Sequence, residues 1–240
     1  LHDALPISAQ LGALSSKQGA GLTTAQLASL DSAELSKLST AAVQGLSTAA
    51  IAGLSSTQVP GLTTAQLAAW STSAQIRALE SADLAQLSSA QVKSLSSAQL
   101  GYLSSAQLAA LSGAATGVLG TNTIASLNSA DLAALTSAQV AGLSTAQLQA
   151  LSSAQVPGLG TEDIAALSSV QIGALRTASL AVLGTDQIAA LSSTNVKGLS
   201  SAQLLALSSS QIAALETDDF AQLSSAQLGA LSSKQGAGLT

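Results

Sequence analysis

The chain has 240 residues, of which 47% are hydrophobic and only 8% are charged, with a formal net charge of −5 and a sequence pI near 4.5. This acidic balance excludes the basic, phosphate-neutralising face that a nucleic-acid partner requires. Cysteine is absent, which excludes disulfides and thiolate metal sites. The sequence contains no run of about 18 apolar residues, so no membrane span is predicted.

The first seven residues, Leu1 to Ile7, do not fit the pattern that follows them. They have neither the basic segment nor the apolar segment of a signal peptide, and they resemble translated adaptor or vector sequence. At the other end the chain stops in the middle of a repeat, at Gly238 to Thr240, and neither end has the polar capping repeat that solenoids need. We therefore expect residues 1–7 to be an artefactual leader and residues 8–240 to be an uncapped fragment of a longer array.

From Ser8 onward an eight-residue unit, Leu-[Ser/Thr]-[Ser/Thr]-Ala-Gln-[Leu/Ile/Val]-Ala-[Ala/Gly], repeats about 30 times, for example at Leu143 to Ala150 and Leu151 to Gly158. We call this unit the octad and number its positions from the first Leu, so that the second large apolar residue is at position six. Two large apolar side chains cannot stabilise one octad alone. The sequence therefore predicts a linear solenoid whose turns share a continuous core.

Three regular structures compete for this period. One continuous α-helix would spread the apolar positions around its whole surface, because eight residues overshoot two turns by about 80°. A flat strand would place positions one and six on opposite faces. Ser or Thr at position two and Gln, Glu or Asp at position five instead form a capping box, flanked by an apolar staple. We predict an all-α solenoid of short capped helices, one per octad, with a β-solenoid as the alternative.

The placement of charge supports separate short helices, because a helix N-terminus favours anions and a C-terminus favours cations. Outside the leader, the acidic residues all fall at positions two, four or five, namely Asp31, Glu34, Glu80, Asp83, Asp131, Glu162, Asp163, Asp186, Glu216, Asp218 and Asp219. Four basic residues fall at positions seven or eight, namely Lys37, Arg77, Lys93 and Lys197, whereas Lys17, Arg176 and Lys234 do not. A strand offers no reason for this asymmetry.

Two prolines limit the length of the helices. Pro60 and Pro157 stand at position seven, each before a glycine, and predict that α-helical bonding ends there after about one turn. The small residue at position eight indicates either a tight turn or a close backbone contact. Ile164, Ile188 and Ile212 recur every 24 residues, which predicts about three octads per superhelical turn.

A few places break the pattern. The stretch from Leu67 to Ile76 has one extra residue, and Trp70 replaces the position-one Leu. Trp70 could contact a ligand at a bulge, but an aromatic side chain that fills the space opened by the insertion is the favoured interpretation. Thr116 replaces an apolar residue among glycines and indicates a defect or hinge, whereas Tyr102 and Phe220 are expected to pack.

No residue set predicts chemistry. His2 is the only histidine and lies in the leader, so no general base or imidazole ligand is expected in the array. The acidic pairs Glu162-Asp163 and Asp218-Asp219 could suggest calcium, but helix-start electrostatics explains them with fewer assumptions. We therefore predict no catalytic, cofactor-binding or metal-binding residue, and a protein that is not an enzyme.

The phrase Leu-[Ser/Thr]-[Ser/Thr]-Ala-Gln-[Leu/Ile/Val], which covers residues 8–240, resembles the repeat regions of very large bacterial surface or secreted proteins labelled as adhesins or haem-utilisation proteins. The resemblance implies an extracellular or cell-surface stalk, spacer or adhesive array, with flanking repeats and a host or surface ligand as partners. Haem is not expected, because the array has no Cys, Met or His ligand. The alternative is a binding module that presents Ser/Thr rows to ice or glycans.

Overall fold

The structure, a computed structural model, describes residues 8–236 except the side chains of Ser8 and Lys234. The leader and the mid-repeat chain end therefore lie outside the described residues. The chain divides into two compact units, 1–119 and 120–240, and the boundary immediately follows the irregular octad that contains Thr116. A hinge at this octad stays a prediction.

Both units consist of short helices, and the described residues contain no strand. The helices of the first unit are α1 Ser8–Gly12, α2 Ser16–Ala20, α3 Thr24–Ala28, α4 Ser32–Leu35, α5 Thr40–Gly45, α6 Thr48–Ala52, the 3₁₀-helix η1 Val59–Gly61, α7 Thr64–Ala69, α8 Ser73–Arg77, α9 Ser81–Leu84, α10 Ser89–Ser94, α11 Ser97–Leu100, α12 Ser105–Ala110 and α13 Gly113–Gly117. Those of the second unit are α14 Thr121–Ser126, α15 Ser129–Ala134, α16 Ser137–Ala141, α17 Thr145–Ala150, η2 Val156–Gly158, α18 Thr161–Ala166, α19 Ser169–Ala174, α20 Thr177–Leu180, α21 Thr185–Ala189, η3 Val196–Gly198, α22 Ser201–Ala206, α23 Ser209–Ala213, α24 Thr217–Phe220, α25 Ser225–Leu228 and α26 Ser233–Gly236.

Each described α-helix starts where the octad pattern places it, whereas the three 3₁₀-helices start later, at position six. The Ser88 hydroxyl accepts the Gln91 backbone N–H at 3.3 Å, and the Gln91 side-chain carbonyl accepts the Ser88 backbone N–H at 2.9 Å. The same reciprocal pair recurs at the start of most helices, because position two lies three residues before position five. Two backbone N–H groups that have no intrahelical partner are thereby satisfied.

Two consecutive extended residues reverse the chain between helices. After α10, Leu95 at position one has φ −72° and ψ 134°, and Ser96 at position two has φ −69° and ψ 158°. No glycine among the described residues has a positive φ. Where position eight lies in a tight turn, as at Gly53 with φ −87° and ψ 0°, the turn is therefore right-handed.

Helices three octads apart pack on one another. In the first unit α2 packs on α5, α5 on α7 and α7 on α10, and in the second unit α14 packs on α17 and α16 on α18. Three octads therefore complete one turn, and the predicted all-α solenoid is confirmed, whereas the β-solenoid alternative is wrong. Side chains at positions one and six form the core, as Leu62 and Leu67 do with 2% and 0% of their surface exposed.

Proline ends the α-helical bonding as predicted. Pro60 and Pro157 lie within the 3₁₀-helices η1 and η2. The third 3₁₀-helix, η3, has Lys197 where the other two have proline, and the sequence analysis missed it. All three 3₁₀-helices end in a glycine at position eight, and that glycine makes the close backbone contact described below. The 3₁₀ geometry therefore occurs with this contact both with and without proline.

The inserted residue is absorbed in the link between α7 and α8, which has three residues, whereas two follow six-residue helices such as α10, α12 and α14. Trp70 in this link is 1% exposed, and its indole N–H donates to the Val43 carbonyl of the preceding turn at 3.0 Å. The packing interpretation of Trp70 is therefore confirmed. Tyr102 and Phe220, also expected to pack, are half-buried.

Replacing Trp70 by phenylalanine is expected to lower the free energy of unfolding by about 2 kcal/mol, because the change leaves a void and deprives the buried Val43 carbonyl of its indole donor. Urea unfolding followed by circular dichroism measures the loss. Tyr102→Phe is the matched control, since Tyr102 is only half-buried, and it should change stability by less than about 0.5 kcal/mol. Equal losses in the two variants would contradict a core role for Trp70.

Candidate functional site

The most distinctive side chain of the array is the glutamine at position five. Gln66 is 1% exposed, and its side-chain carbonyl accepts the backbone N–H of Thr63 at 2.7 Å. Its side-chain NH₂ group donates to the carbonyls of Leu35 and Leu38, both at 2.9 Å. These carbonyls lie 31 and 28 residues earlier, on the preceding turn. One amide therefore caps its own helix and bonds to the turn below.

We call the position-five side chains that donate to a carbonyl of the preceding turn the amide ladder. Its members in the first unit are Gln58, Gln66, Gln75, Gln91, Gln99 and Gln107. Its members in the second unit are Gln155, Gln171, Gln187, Asn195, Gln203, Gln211, Gln227 and Gln235. The ladder joins successive turns by buried hydrogen bonds in addition to the aliphatic core.

The acceptors of the ladder lie at and just after the ends of short helices. In Gln66's pair, Leu35 is the last residue of α4, and its carbonyl also accepts the Leu38 backbone N–H at 3.2 Å, whereas Leu38 lies between α4 and α5. Burying a backbone carbonyl without a partner costs free energy, and the ladder gives these buried carbonyls a side-chain donor. Among the described residues no buried side-chain nitrogen or oxygen lacks a hydrogen-bond partner.

The inserted residue increases the sequence separation between donor and acceptor in the ladder by one residue, and only for the octads near the insertion. Gln91 and Gln99 reach back 32 and 29 residues to their acceptors, because the extra residue lies between donor and acceptor. Gln107 bonds Leu79, which is again 28 residues earlier. An insertion in one link therefore leaves the following turn in register.

Glycine at position eight marks the closest approach of two turns. A Cβ added to Gly45, Gly61, Gly158 or Gly198 would overlap the backbone of a position-three serine on the preceding turn. The serines that they meet are Ser16, Ser32, Ser129 and Ser169. The close-contact interpretation of position eight is therefore confirmed at these four glycines.

Aspartate replaces glutamine in some octads. Asp83 is 3% exposed, and its carboxylate accepts the Glu80 backbone N–H at 3.2 Å. Burial, with a smaller contribution from the charge of Glu80, raises the pKa of Asp83, although the Glu80 N–H opposes the rise. Burial, followed by the charges of Glu216 and Asp218, likewise raises the pKa of Asp219.

The acidic pairs occupy helix starts. In the pair Glu162-Asp163, the Asp163 carboxylate accepts the Gly160 backbone N–H at 2.8 Å. Asp218-Asp219 lies in the first turn of α24. Within residues 8–236 no group of three or more His, Cys, Asp or Glu side chains is placed to hold a metal ion. The only histidine, His2, lies outside the described residues.

The irregular octad before the unit boundary has a polar side chain in the core. Thr116 is 1% exposed, and its hydroxyl donates to the Ser112 carbonyl at 3.1 Å. Bonding to the carbonyl four residues earlier satisfies the hydroxyl inside its own helix.

Comparison with known protein families detects the same repeat. Six segments of the chain, 27–64, 76–113, 124–161, 157–193, 189–217 and 212–240, match the model of the ALTTAQ repeat. The chain belongs to the ALTTAQ repeat family. The matched segments cover well over half of its length, and Leu62-Thr63-Thr64-Ala65-Gln66 spells most of the motif in one octad. A search of curated proteins finds no match.

The structure assigns roles to three residues of the ALTTAQ motif. Leu enters the core, the first Thr caps the helix, and Gln both completes the cap and joins the ladder. No helix among residues 8–236 is long and apolar enough to cross a membrane. Sequence reasoning assigned Gln only to the cap. The preference for Gln over Glu was the available signal, because either residue completes a capping box but only the amide also donates.

Proposed function

We propose that this chain is a non-catalytic structural array that serves as an extracellular stalk or spacer in a large bacterial surface protein. The observation that carries the proposal is the amide ladder: buried hydrogen bonds repeat from turn to turn with the same residue types. Such an array adds length by adding copies, since each turn contacts only its neighbours. A spacer needs this property and does not need a reactive site.

The position-two hydroxyls favour the spacer over a surface that binds ice or glycans. The Ser88 hydroxyl accepts the Gln91 N–H and donates to the Gln91 side-chain carbonyl at 2.8 Å. The hydroxyl of Ser104 is bonded in the same way. Hydroxyls that are committed to two bonds within the octad have less capacity to present an ordered row to a ligand.

The resemblance to adhesin-type repeats supports a location outside the bacterial cell. Within each unit, residues of the chain itself form the core and the amide ladder. The chain also lacks cysteine, so its stability is independent of whether the compartment is oxidising.

The spacer proposal is tested by displaying the full chain between a surface anchor and a reporter binding domain on bacterial cells. We expect capture of a bead by the reporter to increase when a second copy of the array is inserted, and to fall when the array is replaced by a scrambled sequence of equal composition. Capture that depends only on residue number, equally for the scrambled sequence, would contradict the proposal. Specific retention of the isolated array on glycans, or thermal hysteresis, would favour the binding module instead.

A further inference from the structure

We propose that the buried aspartates at position five are protonation-dependent rungs of the amide ladder: the neutral carboxyl donates to a carbonyl of the preceding turn, and the ionised carboxylate does not. The residues concerned are Asp83 and Asp219, which are 3% and 5% exposed. The array would then hold its turns together more tightly in acid than at neutral pH. This inference concerns the fold and does not depend on the compartment or on the spacer role.

Asn195 shows that a side chain of this length reaches the preceding turn. It occupies position five, is 1% exposed, and accepts the Ser192 backbone N–H at 2.7 Å through its side-chain oxygen. Its NH₂ group donates to the Ile164 carbonyl at 3.1 Å. Aspartic acid has the same shape as asparagine, with a hydroxyl in place of the NH₂ group when it is protonated.

The neighbouring rungs place Asp83 over two carbonyls. Gln75 and Gln91, in the octads on either side of Asp83, bond Leu46 and Leu62 of the preceding turn. From the same register, 32 and 29 residues back as for Gln91, we infer that the Ile51 and Leu54 carbonyls lie beneath Asp83. One carboxylate oxygen accepts the Glu80 N–H, and a second ionised oxygen would face carbonyl oxygens that also only accept.

Few charged groups surround this site. Residues 46–61 of the preceding turn and residues 103–111 of the following turn, which includes α12, contain no charged residue. Glu80 lies on the same helix start, and the flanking octads contribute Lys93 and Arg77, whose Nε donates to the Tyr102 carbonyl at 2.9 Å. Any test must therefore distinguish repulsion between the charges of Glu80 and Asp83 from the effect of the inter-turn hydrogen bond of Asp83.

The direction of the pH dependence follows from the raised pKa of Asp83, whose ordinary value is near 3.8. A carboxyl with a higher pKa in the folded than in the unfolded state binds its proton more tightly when folded. Its stabilising contribution is therefore complete below the unfolded pKa and is lost as the pH rises through the folded pKa. The proton comes from solvent, and no other reactant is needed.

The test compares Asp83→Asn with the wild-type chain by amide hydrogen exchange at Leu84 and Ala85. At pH 7 we expect exchange in the variant to be about tenfold slower, because asparagine supplies the missing hydrogen bond at every pH. At about pH 3 the two proteins should have the same protection, since Asp83 is then protonated in the wild type. A ratio that is the same at both pH values would overturn the proposal.

Two further variants remove the competing explanations. In a Glu80→Gln background, Asp83→Asn should still slow amide exchange at Leu84 and Ala85. If it no longer does so, the slowing in the wild-type background came only from relief of the repulsion between Glu80 and Asp83. Gln66→Glu should accelerate exchange at Leu67 at pH 7, and protection should return in large part at about pH 3, because only the protonated carboxyl can donate, through its single O–H, to Leu35 or Leu38. Failure to recover would also overturn the proposal. Asp186→Asn is the matched control, since Asp186 is exposed at position four, and should show no tenfold change at either pH.

Discussion

Substituting methionine for Gln66 is expected to lower the free energy of unfolding of the first unit by about 3 kcal/mol. The side chain makes three hydrogen bonds to backbone groups, one to its own helix start and two to the preceding turn. Methionine fills nearly the same volume but replaces none of these bonds, and each lost bond costs about 1 kcal/mol. Urea unfolding monitored by circular dichroism measures the total loss.

Gln26 provides the control for the inter-turn part of this loss. Gln26 also occupies position five but is exposed, and its side-chain carbonyl accepts the Thr23 N–H at 2.9 Å. Gln26→Met should therefore cost about 1 kcal/mol, the value of the cap alone. Equal losses at Gln66 and Gln26 would show that the amide ladder contributes nothing beyond helix capping.

Substituting alanine for Gly158 is expected to cost about 3 kcal/mol of unfolding free energy in the second unit. The added Cβ would overlap the Ser129 backbone, so the two turns must separate locally. Overpacking a tight contact usually costs about 1–3 kcal/mol, and the upper end applies where the obstacle is backbone that has no alternative rotamer. Thermal unfolding should show a correspondingly lower midpoint.

Gly21 is the matched control for this substitution. It has φ −85° and ψ −10°, which alanine adopts readily, and an added Cβ would lie 3.5 Å from the Gln18 carbonyl oxygen. Gly21→Ala should leave stability unchanged or raise it by about 0.5 kcal/mol through the reduced entropy of the unfolded chain. If both substitutions were neutral, close packing at position eight would not be a requirement of the array.

Family membership and the structure support different parts of the functional argument. The ALTTAQ matches establish the repeat and its extent. The hydrogen bonds of Gln66 explain how a repeat with few charged residues forms a stacked array. The polar side-chain atoms that are buried between turns are hydrogen-bonded to backbone groups. The stalk role is a proposal that the display experiment tests.

Sequence reasoning predicted the local features well. The helix start at Ser88, the end of α-helical bonding at Pro60 and the burial of Trp70 depend on residues within a few positions or on the size of one side chain. The period of 24 residues was also readable, because Ile164, Ile188 and Ile212 recur on one face of the solenoid. What it missed was the inter-turn bond of the glutamines in the amide ladder and the third 3₁₀-helix at Val196–Gly198.

The sequence by itself determined the period, the start of each helix and the two apolar positions of every octad, since these arise from interactions between residues at most five positions apart. Only the tertiary structure decided which carbonyls the glutamines bond and which glycines are indispensable. The partners of Gln66 lie 31 and 28 residues away, and Gly158 and Gly21 share position eight but differ in the backbone that packs against them. Contacts across turns depend on how the octads stack, and a local pattern that is the same in every octad does not specify that stacking.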